Sequence, residues 1–117
     1  MLTEQQEQQL LINWANYQKW GKLLIAIPNG GYRHITTALA LKRTGTRKGV
    51  PDLFLAMPNK NWHGLWIELK RKKGGSLSSE QKEYIALLSE QNYKVEVCKG
   101  FDEAKEVITQ YLDNTAL

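Results

Sequence analysis

Two apolar runs flank a polar turn in the middle of the chain, and together they carry three charges that a core would reject. Val50 to Met57 and Leu65 to Leu69 are almost wholly apolar, while Pro58, Asn59, Lys60 and Asn61 between them carry turn chemistry. The runs read as a hairpin folded about position 60, in which residues equidistant from that position face each other. Asp52 then stands opposite Glu68, close enough for the two carboxylates to share one ligand. Glu68 and Lys70 are two apart in a strand and point to the same face. Both faces of the hairpin are otherwise apolar, which predicts central strands covered by helices on either side. A buried ion without a partner is costly, so this cluster needs a reason. An Asp52–Lys70 salt bridge accounts for two charges and leaves a carboxylate over. A divalent cation held against a phosphate accounts for all three.

The rest of the chain reads as one domain over residues 1–117, a length suited to a single modest core. Thr3 to about Trp20 reads as an amphipathic helix with a Thr3/Gln6 capping box and Leu10, Leu11 and Trp14 turned inward. Glu4 and Glu7 suit the positive end of its dipole, and one of them is able to reach a metal held by the hairpin. Gly21 ends this helix and Lys22 to Ile27 forms a short strand. Ile35 to Leu41 looks like a short helix. Ser78 to about Ser89 is a further helix with a Ser78/Gln81 capping box and an apolar face of Tyr84, Ile85, Leu87 and Leu88. Tyr93 to Cys98 alternates as a strand, and a last helix from about Asp102 uses Ala104, Val107, Ile108, Tyr111 and Leu112. The tail from Asp113 to Leu117 is expected to fray. The order αβ(α)ββαβα predicts an α/β fold, a small mixed sheet flanked by helices.

Charge places the partners. The net charge of +4 is compatible with a polyanion without being diagnostic. Lys42, Arg43, Arg47 and Lys48 lie just before Asp52, and Arg71, Lys72 and Lys73 just after Lys70, so both basic loops emerge at the charged end of the hairpin. That convergence favours phosphate contact over a merely solvated face. Asn29, Gly30 and Gly31, followed by Arg33, either form a plain turn or bring backbone N–H groups close to a phosphate. His34 and His63 sit in polar stretches and suit an exposed or DNA-facing position better than metal ligation. Trp62 and Trp66 suit packing better than stacking on bases, and Trp20, Tyr32 and Trp62 are candidate dimer contacts. The single Cys98 excludes an internal disulfide and a cysteine-based zinc site, and its apolar setting predicts an inert thiol. With no signal-peptide pattern and no apolar run able to span a bilayer, a cytoplasmic protein with no membrane partner is expected.

Pro51-Asp52, fifteen residues, then Glu68-Leu69-Lys70 resembles the PD-(D/E)xK nuclease motif. The wider set of Ile-Pro-Asn-Gly-Gly (27–31), Lys-Gly-Val-Pro-Asp-Leu (48–53), Ile-Glu-Leu-Lys (67–70) and Leu-Ser-Ser-Glu-Gln (77–81) is similar to the stand-alone VRR-NUC domains, the virus-type replication-repair nucleases. The resemblance implies a restriction-endonuclease-like αβββαβ core, here with an extra C-terminal helix. It implies Asp52, Glu68 and the backbone carbonyl of Leu69 as ligands for Mg²⁺ or Mn²⁺, with Lys70 serving the attacking water or the transition state. Glu4 matches the family's first-helix glutamate best, with Glu7 as the alternative, and Gln81 matches a motif glutamine whose capping role is an equally good explanation. The implied activity is metal-dependent DNA endonuclease, on branched or Holliday-junction-type DNA in replication, recombination or repair, by a homodimer. Two alternatives remain: a non-catalytic nucleic-acid-binding module that kept the fold, and a buried salt-bridge network with a structural role alone.

Overall fold

Local sequence signals start the helices where the capping patterns predict. In a computed structural model, which describes residues 1–28 and 35–113, helix α1 (Glu4–Ala15) begins at an N-cap Thr3 whose hydroxyl accepts from the Gln6 N–H, while the Gln6 side chain accepts in return from the Thr3 N–H. The same reciprocal pair, Ser78 with Gln81, opens α3 (Ser79–Glu90). The remaining elements are β1 (Leu24–Ala26), α2 (Ile35–Arg43), β2 (Leu53–Leu55), β3 (Leu65–Lys70), β4 (Lys94–Lys99) and α4 (Phe101–Asp113). Residues 114–117, where fraying is expected, lie outside the described residues, as do positions 29–34.

The four strands form one mixed sheet in the order β1-β2-β3-β4, antiparallel except for the β3–β4 pair. The hairpin register is Leu53↔Ile67, Phe54↔Trp66 and Leu55↔Leu65, the pairing about position 60 that the turn chemistry predicts. Leu53, Leu55, Leu65, Ile67 and Leu69 are all buried on one face, where they meet Leu11 and Ala15 of α1 and Ala104, Ile108 and Tyr111 of α4. Phe54, Trp66, Glu68 and Lys70 lie on the other face, which α3 reaches through Gln81. Helices therefore cover both faces of the central strands.

Three expectations are corrected. Helix α1 ends at Ala15, short of Trp20, and its buried stripe is Glu7, Leu11 and Ala15 at steps of four. Leu10 is exposed, because a stripe built on four-residue steps turns it away from the sheet. The chain then doubles back so tightly that a Cβ at Gly21 would collide with the Ala15 carbonyl, and a 3₁₀ turn (Gly21–Leu23) leads into β1. The second correction concerns β2, which is shorter than the apolar run around it. Its hydrogen bonds to β1 nevertheless extend on both sides, Ala56 N–H to the Leu23 carbonyl and Ile27 N–H to the Asp52 carbonyl. Third, Leu87 in α3 is exposed. Cys98 is buried in the core and burial, helped by Glu96 and Glu103, pushes its thiol up to about 12, so it is inert as expected.

Candidate active site

The charged end of the hairpin forms where β2 and β3 stop pairing. Beyond Leu53 the Asp52 side chain turns toward β3 and its Oδ2 accepts from the Leu69 N–H at 2.8 Å. Asp52 is thus held by backbone, and among the described residues it forms no ion pair with Lys70. Lys70 instead pairs with Glu68, Nζ to Oε2 at 3.5 Å. The simple Asp–Lys bridge is therefore not the arrangement that forms.

Glu68 is 2% exposed and Lys70 9%. Gln81 ties them together: its Nε2 donates to Glu68 Oε2 at 3.1 Å, and its Oε1 accepts from Lys70 Nζ at 3.4 Å and from the Ser78 N–H at 2.9 Å. The capping and site explanations of Gln81 are both realised, by one side chain using both ends of its amide. Gly75, in the left-handed region at φ +77°, packs against the Lys70 stem, and Gly49 at φ +94° lies so close to the Glu80–Gln81 backbone that a Cβ would collide with it. Neither support is visible in the sequence, since a glycine in a loop reveals nothing of what it approaches.

The second carboxylate oxygen of Glu68, Oε1, is buried and accepts no hydrogen bond, and the Glu68 carboxyl stands within hydrogen-bonding reach of the Asp52 carboxylate. Burial first, and then the neighbouring Asp52 carboxylate, push the Glu68 carboxyl up to about 8, against a smaller opposing pull from Lys70. A buried acid that is hard to ionise, with an open oxygen and a second carboxylate beside it, is a site that a cation would relieve. The donors present are oxygens, which suit a hard divalent ion such as Mg²⁺ or Mn²⁺. Among the described residues no group of three His, Cys, Asp or Glu side chains gathers there.

The two first-helix glutamates separate cleanly. Glu7 is 1% exposed and its Oε1 accepts from the Phe101 N–H at 2.9 Å, so it caps α4 from 94 residues away. Its Oε2 is buried without a partner. Nothing local in the sequence announces that contact. Glu4 is exposed and lines a surface groove of about 450 Å³ together with Arg71 and Gly75, the glycine that packs on Lys70.

Of the basic residues, Lys48 and Arg71 have contacts beside this end. Lys42, Arg43, Arg47, Lys48, Arg71, Lys72 and Lys73 are all exposed. Lys48 pairs with Glu80 at 3.9 Å, next to Gln81, and Lys72 with Asp102 at 3.4 Å. Arg47 lines a groove of about 620 Å³ with Ile27, Pro28, Leu41 and Val50. Asn29, Gly30, Gly31, Tyr32, Arg33 and His34 lie outside the described residues. His63 is exposed and meets Tyr93 edge-on, while Trp66 stacks on Phe54 at 4.4 Å and Trp62 packs near Tyr111 under the Lys94 ammonium. The tryptophans are therefore packed against protein, as expected.

The profile of the VRR-NUC domain matches residues 1–102. A solved structure described as a VRR_NUC domain protein superposes with a TM-score of 0.87 at 31% identity, covering 97% of this chain and 91% of that one. Comparison with curated proteins finds no match. Sheet order, flanking helices and that structural likeness define a mixed α/β protein of the restriction-endonuclease-like type. Within that class, the chain belongs to the VRR-NUC family, a family of nuclease fold.

Proposed function

We propose that this chain is a divalent-metal-dependent DNA endonuclease that hydrolyses phosphodiester bonds in branched DNA, working as a homodimer. The observation that carries the reading is the buried Glu68 carboxyl held against the Asp52 carboxylate, with an oxygen that accepts no hydrogen bond. A binding module has no use for it, because carboxylates repel phosphate. Asp52, Glu68 and the Leu69 carbonyl would hold Mg²⁺ or Mn²⁺. Such an ion, when bound, lowers the pKa of a water and offsets charge on the phosphate.

The protein's own groups then have separate tasks. Lys70 carries three N–H donors, of which Gln81 Oε1 and Glu68 Oε2 engage two. The third is free to orient an attacking water or to stabilise charge on a phosphate oxygen. Gln81 holds Lys70 and Glu68 in register with each other, while Glu4 stands in the groove it shares with Arg71, apart from the Asp52–Glu68 pair, and its carboxylate would have to move to reach a bound ion. The exposed basic residues take the DNA backbone, a contact that sets position and weakens as salt rises. One site per chain makes a two-fold dimer the natural way to cut two strands symmetrically.

The test is cleavage of a four-way junction, a flap and a plain duplex in Mg²⁺ or Mn²⁺. Cutting of the junction in preference to the duplex, lost in Asp52→Ala and Lys70→Ala, is the expected result. DNA binding that ignores metal, with no substrate cut, would make the chain a binding module instead.

A further inference from the structure

The backbone around Asp52 and Leu69 shows why a proline precedes the aspartate. At the two ends of β3 the carbonyls of Gly64 and Lys70 accept from the β4 side, from the Lys94 and Gly100 N–H groups. Peptide groups alternate in direction along a strand, so the N–H and carbonyl of Leu69 face the opposite side, toward β2. Just before β2 the Asp52 carbonyl accepts from the N–H of Ile27, just after β1, so positions 51, 53 and 55 turn their peptide groups toward β3. The register Leu53↔Ile67 and Leu55↔Leu65 then sets position 51 opposite Leu69. A paired residue there would normally exchange both hydrogen bonds with Leu69.

Neither exchange takes place. The Leu69 N–H goes to the Asp52 carboxylate at 2.8 Å. The Leu69 carbonyl would need the N–H of residue 51, and Pro51 has none. Pro51 is itself fully buried, so water is a poor substitute donor at that point of the sheet. One peptide of the central strand is thus released from the ladder at both of its polar groups, beside the two carboxylates.

We propose that Pro51 is a positioning residue: by withholding the one N–H that the ladder would offer the Leu69 carbonyl, it keeps that oxygen open as a cation ligand alongside Asp52 and Glu68. This rests on the metal-binding reading above and adds to it a residue that touches neither metal nor DNA. A proline that only stiffens the chain or fills the core would alter stability and leave the carbonyl's chemistry alone.

The experiment is NMR on isotopically labelled protein, wild type and Pro51→Ala, titrated with Mg²⁺ and without any DNA. The substitution restores the missing N–H at position 51. The expected results are a scalar coupling across a hydrogen bond from that new amide to the Leu69 carbonyl, slow exchange of the amide, and Mg²⁺ binding weaker by about two- to tenfold, the worth of one backbone hydrogen bond that the ion must displace. In the wild type the Leu69 carbonyl carbon resonance should move on Mg²⁺ addition, which can be read even where the variant fails to fold. A freely exchanging amide at position 51 of the variant, or equal Mg²⁺ affinity in the two proteins, overturns the role of Pro51 while leaving metal binding intact. A wild type that binds no Mg²⁺ overturns both.

Discussion

Replacing Glu68 by glutamine should make the metal-free protein more stable at neutral and alkaline pH, although it removes the residue placed at the centre of the site. The carboxyl is raised from 4.5 to about 8, by burial first and by Asp52 second. The sign follows from proton counting. Between about pH 5 and pH 7.5 the unfolded chain has released this proton and the folded chain still holds it, so raising the pH favours unfolding by about 1.4 kcal/mol per unit. Across that window the wild type loses about 3 kcal/mol through this one group, a large part of the roughly 5–15 kcal/mol that ordinarily separates folded from unfolded domains. Glutamine keeps the shape and the bond to Gln81 but has nothing to ionise. Urea unfolding of both proteins in EDTA at pH 5, 6, 7 and 8 (about one unit per step, to resolve the slope) should therefore give diverging curves, with the variant gaining on the wild type at each step. The difference between the two sets of curves reads the Glu68 proton together with the neighbours it is coupled to, Asp52 and Lys70. Saturating Mg²⁺ at the alkaline end should lift the wild type and leave the variant unmoved. Parallel curves in EDTA would refute the account, because Glu68 would then ionise in the fold as easily as out of it.

Cleavage should fall by at least about 100-fold in Asp52→Ala and in Lys70→Ala, with circular dichroism unchanged, since each removes a group that acts at the reacting phosphate. The first-helix glutamates should part company. Glu4→Gln should weaken Mg²⁺ binding by calorimetry, whereas Glu7→Gln, which keeps an oxygen for the Phe101 N–H, should leave it unchanged, and Glu7→Ala should cost about 1–3 kcal/mol in urea unfolding. Gln81→Ala should cost about 1 kcal/mol through the lost capping box and lower cleavage by about tenfold or more through Lys70 and Glu68, which a thermal melt and a cleavage assay read separately.

The hairpin register, both capping boxes and the inert thiol are legible in the sequence because each depends on residues close together or on a simple alternation. Asp52 opposite Glu68 follows from the turn alone. Contacts whose partners lie far apart along the chain are not legible in this way. Glu7 reads as one more acid favouring a helix dipole, yet it is buried as the cap of another helix, an outcome set by how α1 crosses α4. By sequence Lys70 suits either carboxylate; in the fold it pairs with Glu68, while Asp52 accepts from the Leu69 N–H. The inward face of α1 differs from the expected one by a single position, because Leu10 and Leu11 are equally apolar and only the angle of packing chooses between them. Tertiary geometry settles such cases, and spacing along a helix does not.

Helix α4 lies almost wholly beyond the stretch that the family profile matches, yet Ala104, Ile108 and Tyr111 sit in the core and the Tyr111 hydroxyl donates to the Met57 carbonyl at 2.8 Å. Its first N–H is satisfied by a side chain of the first helix. Without α4, therefore, that face of the sheet would be only half covered, and the Glu7 carboxylate of α1 would lose the N–H from which it accepts. The first and last helices thus depend on each other: α4 closes the face that α1 leaves open, and cutting the chain before residue 101 would take away a support of both the core and the first helix.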